Sequence, residues 1–161
     1  MINLKIELLS EDSFNIYLNK FYFKELELTN KLDLELYFKS LFLKLKKKYN
    51  MNMEGFYIID VYKDKYYGMV LKIKKENFSY FDDNTVDMRI RIKDKTFYYQ
   101  LLDIDNLKLF NSFGYIYQNK DKLYLKINKN LNYYYLGLLE ENSKIIFDNI
   151  NEEKLKLINV I

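Results

Sequence analysis

One amphipathic stretch, residues 30–49, constrains the fold of this chain more than any other segment. Its apolar side chains recur at steps of three and four residues, which places them along one side of an α-helix. Asn30 is a suitable N-cap, Asp33 lies in the first turn, and Gly55 stops any continuation. We therefore predict a helix over residues 31–49. Its apolar side consists of Leu34, Phe38, Leu41, Phe42, Leu45 and Tyr49.

Most of the remaining chain alternates apolar and polar residues, as half-buried β-strands do. The clearest case runs from Val86 to Ile92, where charged residues occupy every second position. In the first strand after the helix, Tyr57, Ile59 and Val61 form the more apolar side, so we expect them to face the core. Strands are predicted over residues 2–8, 14–18, 56–62, 66–74, 86–92, 97–102, 115–117, 123–127 and 145–147.

Short polar turns separate several of these strands. Together with the predicted helix, they indicate an α+β fold. We expect an antiparallel, meandering sheet of β-hairpins covered by the one long helix. Asn151, followed by Glu152 and Glu153, predicts a short C-terminal helix over residues 152–159. Residues 103–110 fit either a short helix or a loop.

The length of 161 residues fits a single domain, residues 1–161, with sub-halves 1–80 and 85–161 as the alternative. Residues 56–84 and 115–142 follow a similar order of strand, turn, strand, aromatic cluster and acidic pair. This similarity suggests a weak pseudo-repeat of two halves. A biased amino-acid composition can imitate such a match.

Missing residue types exclude several chemistries. The chain contains no Cys and no His, which excludes disulfides, thiolate catalysis, Cys-ligated zinc and the usual Ser–His triad. Its four glycines are widely separated, so neither common phosphate-binding glycine loop occurs. We therefore expect no cofactor and favour a non-enzymatic protein.

An acidic segment is the main candidate for a metal site. Asp82, Asp83, Asn84 and Asp87 could offer oxygen ligands to Mg²⁺ or Ca²⁺. The spacing of an EF-hand is missing, and such residues commonly bond the local backbone in turns. We assign no metal ligand, and an enzyme using carboxylates and a divalent ion remains the second alternative for the function.

Composition also bears on the location of the protein. No window of 18 residues is apolar and free of charge, and the N-terminus lacks the pattern of a signal peptide. We therefore expect no membrane span and a cytoplasmic location. Heavy use of Lys, Asn, Ile, Tyr and Phe, whose codons are AT-rich, suggests an AT-rich bacterium or one of its mobile elements.

Lysines and aromatic residues are the candidates for a partner surface. Lysines with nearby aromatics can bind a phosphate backbone and stack on bases. Tyrosines also favour protein interfaces, and the clusters at residues 66–67, 98–99 and 133–135 are expected on both faces of strands. The predicted surface consists of Lys44, Lys46, Lys47, Lys48, Tyr49, Tyr66, Tyr67, Arg89 and Arg91.

These observations predict an accessory or regulatory protein that binds another macromolecule, in the first place a protein. Nucleic-acid binding through the cluster from Lys44 to Lys48 is the first alternative. The net charge of only +3 gives the whole chain no general attraction to nucleic acid. No oligomeric state is predicted.

Overall fold

The amphipathic stretch forms helix α1, Lys31–Tyr49, in the computed structural model, as the sequence predicts. The structure describes residues 5–22, 31–50, 52–76 and 86–160. Helix α1 ends where Asn50 adopts a left-handed conformation, with a φ of 53°. The prediction that Gly55 stops the helix is therefore wrong, because Gly55 is the first residue of the next strand. Asn30, the predicted cap, lies outside the described residues.

The described residues contain ten strands and two further α-helices. The helices are α2, Leu107–Asn111, and α3, Tyr133–Glu141. The strands are β1 Lys5–Ser10, β2 Ser13–Asn19, β3 Gly55–Asp64, β4 Gly68–Glu76, β5 Val86–Asp94, β6 Tyr98–Leu101, β7 Gly114–Asn119, β8 Lys122–Ile127, β9 Ser143–Ile146 and β10 Lys156–Ile158. The mixed α and β content agrees with the predicted fold class.

The chain folds as two compact units. Unit 1 comprises residues 1–62 and 69–93, and unit 2 comprises residues 63–68 and 94–161. Each unit contains one five-stranded sheet, so the single sheet expected from the sequence is wrong. The tip of the hairpin formed by β3 and β4 belongs to unit 2.

The sheet of unit 1 has the strand order β1-β2-β4-β3-β5. Because β2 neighbours β4 and not β3, this sheet is not the predicted meander. Strands β1 and β2 are antiparallel, with Ile6 opposite Ile16. Tyr57, Ile59 and Val61 are buried, which confirms the predicted inner side of β3.

The buried side of α1 belongs to the same hydrophobic cluster as inner residues of β2, β3, β4 and β5. The rings of Phe42 and Tyr57 meet edge-to-face, with their centroids 5.0 Å apart. The members from α1 are Leu34, Phe38, Leu41, Phe42 and Leu45, five of the six residues predicted for the apolar side. The sixth, Tyr49, is exposed at the end of the helix.

The sheet of unit 2 has the strand order β10-β7-β8-β6-β9, and its neighbouring strands pair antiparallel. Numbered within each unit, the two orders are 1-2-4-3-5 and 5-2-3-1-4. The two sheets therefore differ in topology. Both segments of the predicted pseudo-repeat begin with two neighbouring strands, β3 with β4 and β7 with β8, but residues 77–84 lie outside the described residues, so the pseudo-repeat stays a prediction.

The end of the chain corrects another prediction. Asn151 caps only a 3₁₀ turn, Glu152–Lys154, where its side chain accepts a hydrogen bond from the Glu153 N–H. The following residues form β10, with Leu157 opposite Tyr117 of β7. An isolated helix of eight residues is marginal in water, whereas pairing with β7 satisfies the backbone in a ladder. The predicted helix over residues 152–159 is therefore absent.

Candidate partner-binding surfaces

The basic end of α1 is exposed in unit 1, as the sequence suggests. Lys44, Lys46, Lys47 and Lys48 are all exposed, as is Tyr49. Lys46 Nζ lies 3.2 Å from Glu54 Oε1, and Lys48 Nζ lies 5.4 Å from the centre of the Tyr49 ring. One lysine of this cluster is thus paired with an acid and another lies over an aromatic ring.

A cleft of about 360 Å³ lies beside this end of the helix, within unit 1. Its walls include Glu11 and Asp12 of the β1–β2 turn, Met53 after α1, Tyr57 of β3 and Lys75 of β4. Burial raises the pKa of Tyr57 to about 12, and the charges of Asp12 and Glu54 add to the rise. Tyr57 therefore stays protonated near neutral pH.

The two arginines predicted for the surface lie on β5. Arg89 and Arg91 are both exposed. Arg91 is already engaged, because its Nε and Nη2 donate to the two carboxylate oxygens of Asp60 at 2.6 and 3.1 Å. Met88 and Ile90 belong to the cluster that contains α1, so alternation places both arginines on the opposite face of the sheet. That face is not the one on which α1 packs.

The tyrosines at the β3–β4 hairpin tip behave differently from each other. Tyr66 is half-buried, whereas Tyr67 is buried, with its ring centroid 5.8 Å from that of Phe97 and 6.4 Å from that of Tyr99. Tyr67 therefore belongs to the core of unit 2. Its predicted place on a partner surface is corrected, because a buried ring cannot contact a partner.

Within the described residues, an exposed aromatic cluster lies instead at the start of α3. Tyr133, Tyr134 and Tyr135 expose 44%, 70% and 37% of their surface. We call these three residues the tyrosine surface. They lie on a helix and not on a strand, which corrects the prediction for residues 133–135.

Local bonds fix the tyrosine surface. Asn132 caps α3, since its Oδ1 accepts a hydrogen bond from the Tyr135 N–H at 2.8 Å. Leu136 and Leu139 are fully buried, and this spacing of three residues orients the helix on unit 2. The same signal is visible in the sequence: an Asn before a run with leucines three residues apart. The apolar character of residues 133–139 also favours a strand, so this signal alone does not identify the helix.

A groove of about 350 Å³ adjoins the tyrosine surface. Leu109, Phe113 and Leu131 contribute apolar walls, Tyr135 forms one side, and Lys129 is the one charged residue in the lining. The rings of Phe113 and Tyr135 lie 5.4 Å apart, as do those of Tyr134 and Tyr135. The buried Phe113 thus supports the exposed rings from below. The groove therefore combines these apolar side chains with the polar side chains of Ser112, Asn130 and Asn132 and a single cation, Lys129.

The acidic segment and the possibility of a membrane span were the remaining features to be compared with the structure. Among the described residues, no group of three or more acidic side chains could hold a metal ion. Asp82, Asp83 and Asn84 lie outside the described residues. No helix in the described ranges is long and apolar enough to cross a membrane.

Comparison with protein-family models, with curated proteins and with solved structures finds no significant match. The function must therefore be inferred from the chemistry of these surfaces.

Proposed function

We propose that the chain is a non-enzymatic binding protein that recognises another protein through the tyrosine surface and the adjoining groove. One observation carries the proposal: three consecutive tyrosines are exposed beside a groove lined by both apolar and polar side chains. Tyrosine combines a large apolar area with a polar tip and little side-chain entropy, which is why it is enriched at interfaces. The cation of Lys129 would supply polar contact at the rim.

We propose that the rest of the molecule is a scaffold. In unit 1, we propose that α1 covers one face of the sheet, and the shared hydrophobic cluster supports this. We further propose an accessory or regulatory role in the cytoplasm. Such a protein acts by occupying a partner and needs no reactive group of its own.

A binding experiment with Tyr134→Ser tests the proposal. Immobilised wild-type chain should retain a partner from a lysate of its own organism at a saturable, stoichiometric level. Loss of the most exposed ring should weaken retention by about tenfold, since an interface tyrosine commonly contributes 1–2 kcal/mol. Purified partner titrated against both chains gives the ratio of affinities.

Tyr115→Ser is the matched control. Tyr115 exposes 50% of its surface and lies on β7, in the same unit but outside the groove lining. This variant should bind the partner as the wild type does. Equal weakening by both substitutions, or unchanged binding by Tyr134→Ser, would contradict the proposal.

Nucleic-acid binding is the second candidate function, and the exposure of all four lysines from Lys44 to Lys48 favours it. Affinity for a single-stranded oligonucleotide should then fall steeply with salt, because each lysine that contacts a phosphate releases a counterion. Fluorescence anisotropy at low and high salt measures this slope. An anisotropy that does not rise with protein concentration at low salt would reject nucleic-acid binding.

A further inference from the structure

The cleft of about 360 Å³ in unit 1 has apolar walls that the core provides. Phe14, Met53 and Tyr57 line it, and all three are buried members of the hydrophobic cluster that contains α1. Leu8, which exposes 71% of its surface, lines it as well. A volume of this size lies within the range of small-molecule sites. The cleft therefore has room for a small ligand that carries an apolar group.

Charges of both signs line the same cleft. Glu11 and Asp12 of the β1–β2 turn are acidic, and Lys75 near the end of β4 is basic. The charge of Asp12 adds to the raised pKa of the buried Tyr57, so the carboxylate lies near that phenol. In the described part of the chain, none of the three charged side chains forms an ion pair. They are therefore available to the charges of a ligand.

The backbone holds the Lys75 ammonium apart from the acidic turn. The Lys75 N–H donates to the carbonyl oxygen of Asp12 at 2.8 Å, so the turn lies beside β4 on the side of β2. The lysine side chain leans the other way, over β3. A Cβ added to Gly55 would lie 2.7 Å from Lys75 Cε and 3.5 Å from its Nζ. The cation and the acidic turn therefore lie on different sides of β4.

We propose that this cleft binds a free α-amino acid with an apolar side chain. The ligand carboxylate pairs with Lys75, the ammonium pairs with Asp12, and the side chain lies against Met53 and Tyr57. An α-amino acid suits this arrangement because it carries two opposite charges close together on one small molecule. Glu11, which is exposed, adds a second negative charge on the side of the ammonium.

This site is independent of the proposed protein-binding function. The cleft belongs to unit 1 and shares no lining residue with the groove beside the tyrosine surface. Lys75 and Asp12 are only half-buried, and charge pairs in contact with water contribute little. We therefore expect a dissociation constant of about 0.1–1 mM for a ligand of this size.

NMR titration of the isotopically labelled full chain with L-leucine, L-methionine and L-phenylalanine tests the proposal. At least one of the three should give saturable shifts, centred on the backbone amides of residues 10–14, 52–57 and 75. The amide derivative of that amino acid lacks the carboxylate, and the corresponding acid without an amino group lacks the ammonium. Each should bind about fivefold more weakly, and glycine, without an apolar side chain, should not saturate below about 10 mM.

Three outcomes of this titration would overturn the proposal. The first is no saturable shift with any of the three amino acids. The second is a set of shifts centred outside the cleft. The third is equal binding by the derivatives that lack one of the two charges.

Substitutions in the cleft identify the group that holds each charge. Lys75→Met should weaken binding of the amino acid about fivefold and leave binding of its amide derivative unchanged. Asp12→Asn should weaken binding of the amino acid about fivefold and leave binding of the acid without an amino group unchanged or tighter. The spectrum of each variant without ligand shows that the chain is folded.

Lys74→Met is the matched control. Lys74 precedes Lys75 on β4, is exposed, and lies 4.0 Å from Glu76 without lining the cleft. This variant should bind the amino acid as the wild type does. Unchanged binding by Lys75→Met or by Asp12→Asn overturns the proposed contacts, and so does an equal loss in Lys74→Met.

Discussion

At the scale of single residues, two glycines differ in how closely other backbone atoms approach them. A Cβ added to Gly114 would lie against the carbonyl oxygen of Lys126 and 2.9 Å from Ile127 Cα. Gly137, in the middle of α3, has nothing within 4 Å of the same position. The close contact of β7 with β8 therefore depends on Gly114, and this contact holds the neighbouring Phe113 under the groove.

Substitution of the two glycines should change stability in opposite directions. Gly114→Ala should lower the free energy of unfolding by about 2 kcal/mol, because the β7 and β8 backbones must separate. Gly137→Ala should raise it by about 0.5–1 kcal/mol, because Ala loses less entropy than Gly in a helix. Urea unfolding followed by circular dichroism measures both changes. Unchanged or higher stability of Gly114→Ala would show that the two strands are not in such close contact, and a loss in Gly137→Ala would contradict the open space beside α3.

Asp64 organises the β3–β4 hairpin tip at the scale of elements. Its Oδ1 accepts hydrogen bonds from the backbone N–H groups of Tyr66 and Tyr67, both at 2.8 Å. Its Oδ2 accepts one from the Phe97 N–H, also at 2.8 Å. One carboxylate thus closes the turn and joins it to the segment before β6, within unit 2.

Removal of the Asp64 carboxylate should lower the free energy of unfolding. Asp64→Ala leaves three backbone donors without their acceptor, and we expect a loss of about 2–3 kcal/mol in the free energy of unfolding. Asp64→Asn keeps one oxygen for the turn and should lose less. Asp94→Ala, at an exposed position at the end of β5, should stay within about 0.5 kcal/mol of the wild type. Chemical denaturation of the three variants ranks them, and an equal loss in Asp94→Ala would refute the role of Asp64.

Local patterns in the sequence predict elements well and their assembly poorly. The helix α1 and the inner side of β3 follow from periodicity, because each reflects burial along one stretch of chain. The strand order of the two sheets depends on pairing between distant segments, such as β6 with β9, which no local pattern encodes. Residues 133–139 and 152–159 have patterns that fit either a helix or a strand. In both segments, tertiary contacts produced the structure that the sequence did not predict.

The candidate surfaces were predictable only in part. The helix dipole favours lysines at this end of a predicted helix, and a cluster of them is exposed because burial of unpaired charges costs free energy. Tyrosine is ambiguous: Tyr67 is buried and Tyr134 is exposed, although both lie in tyrosine runs. Leu32, Leu36 and Leu43 of α1 are exposed, which residue type does not predict, because leucine is usually buried. Only coordinates distinguish these cases.

At the scale of the whole molecule, the two candidate surfaces lie in different units. The tyrosine surface belongs to unit 2, and the lysine cluster from Lys44 to Lys48 belongs to unit 1. Protein binding and nucleic-acid binding would therefore use different residues, so each can be abolished by its own substitutions.

The most direct test of the central claim is site-specific photo-cross-linking in cells of the native organism. A photoreactive phenylalanine replaces Tyr134 in one strain and Tyr115 in another, and illumination is followed by mass analysis of the adducts. The account predicts one discrete protein adduct at position 134, lost when Lys129→Glu alters the groove rim, and no such adduct at position 115. The same adducts at both positions, or none at position 134, would contradict it.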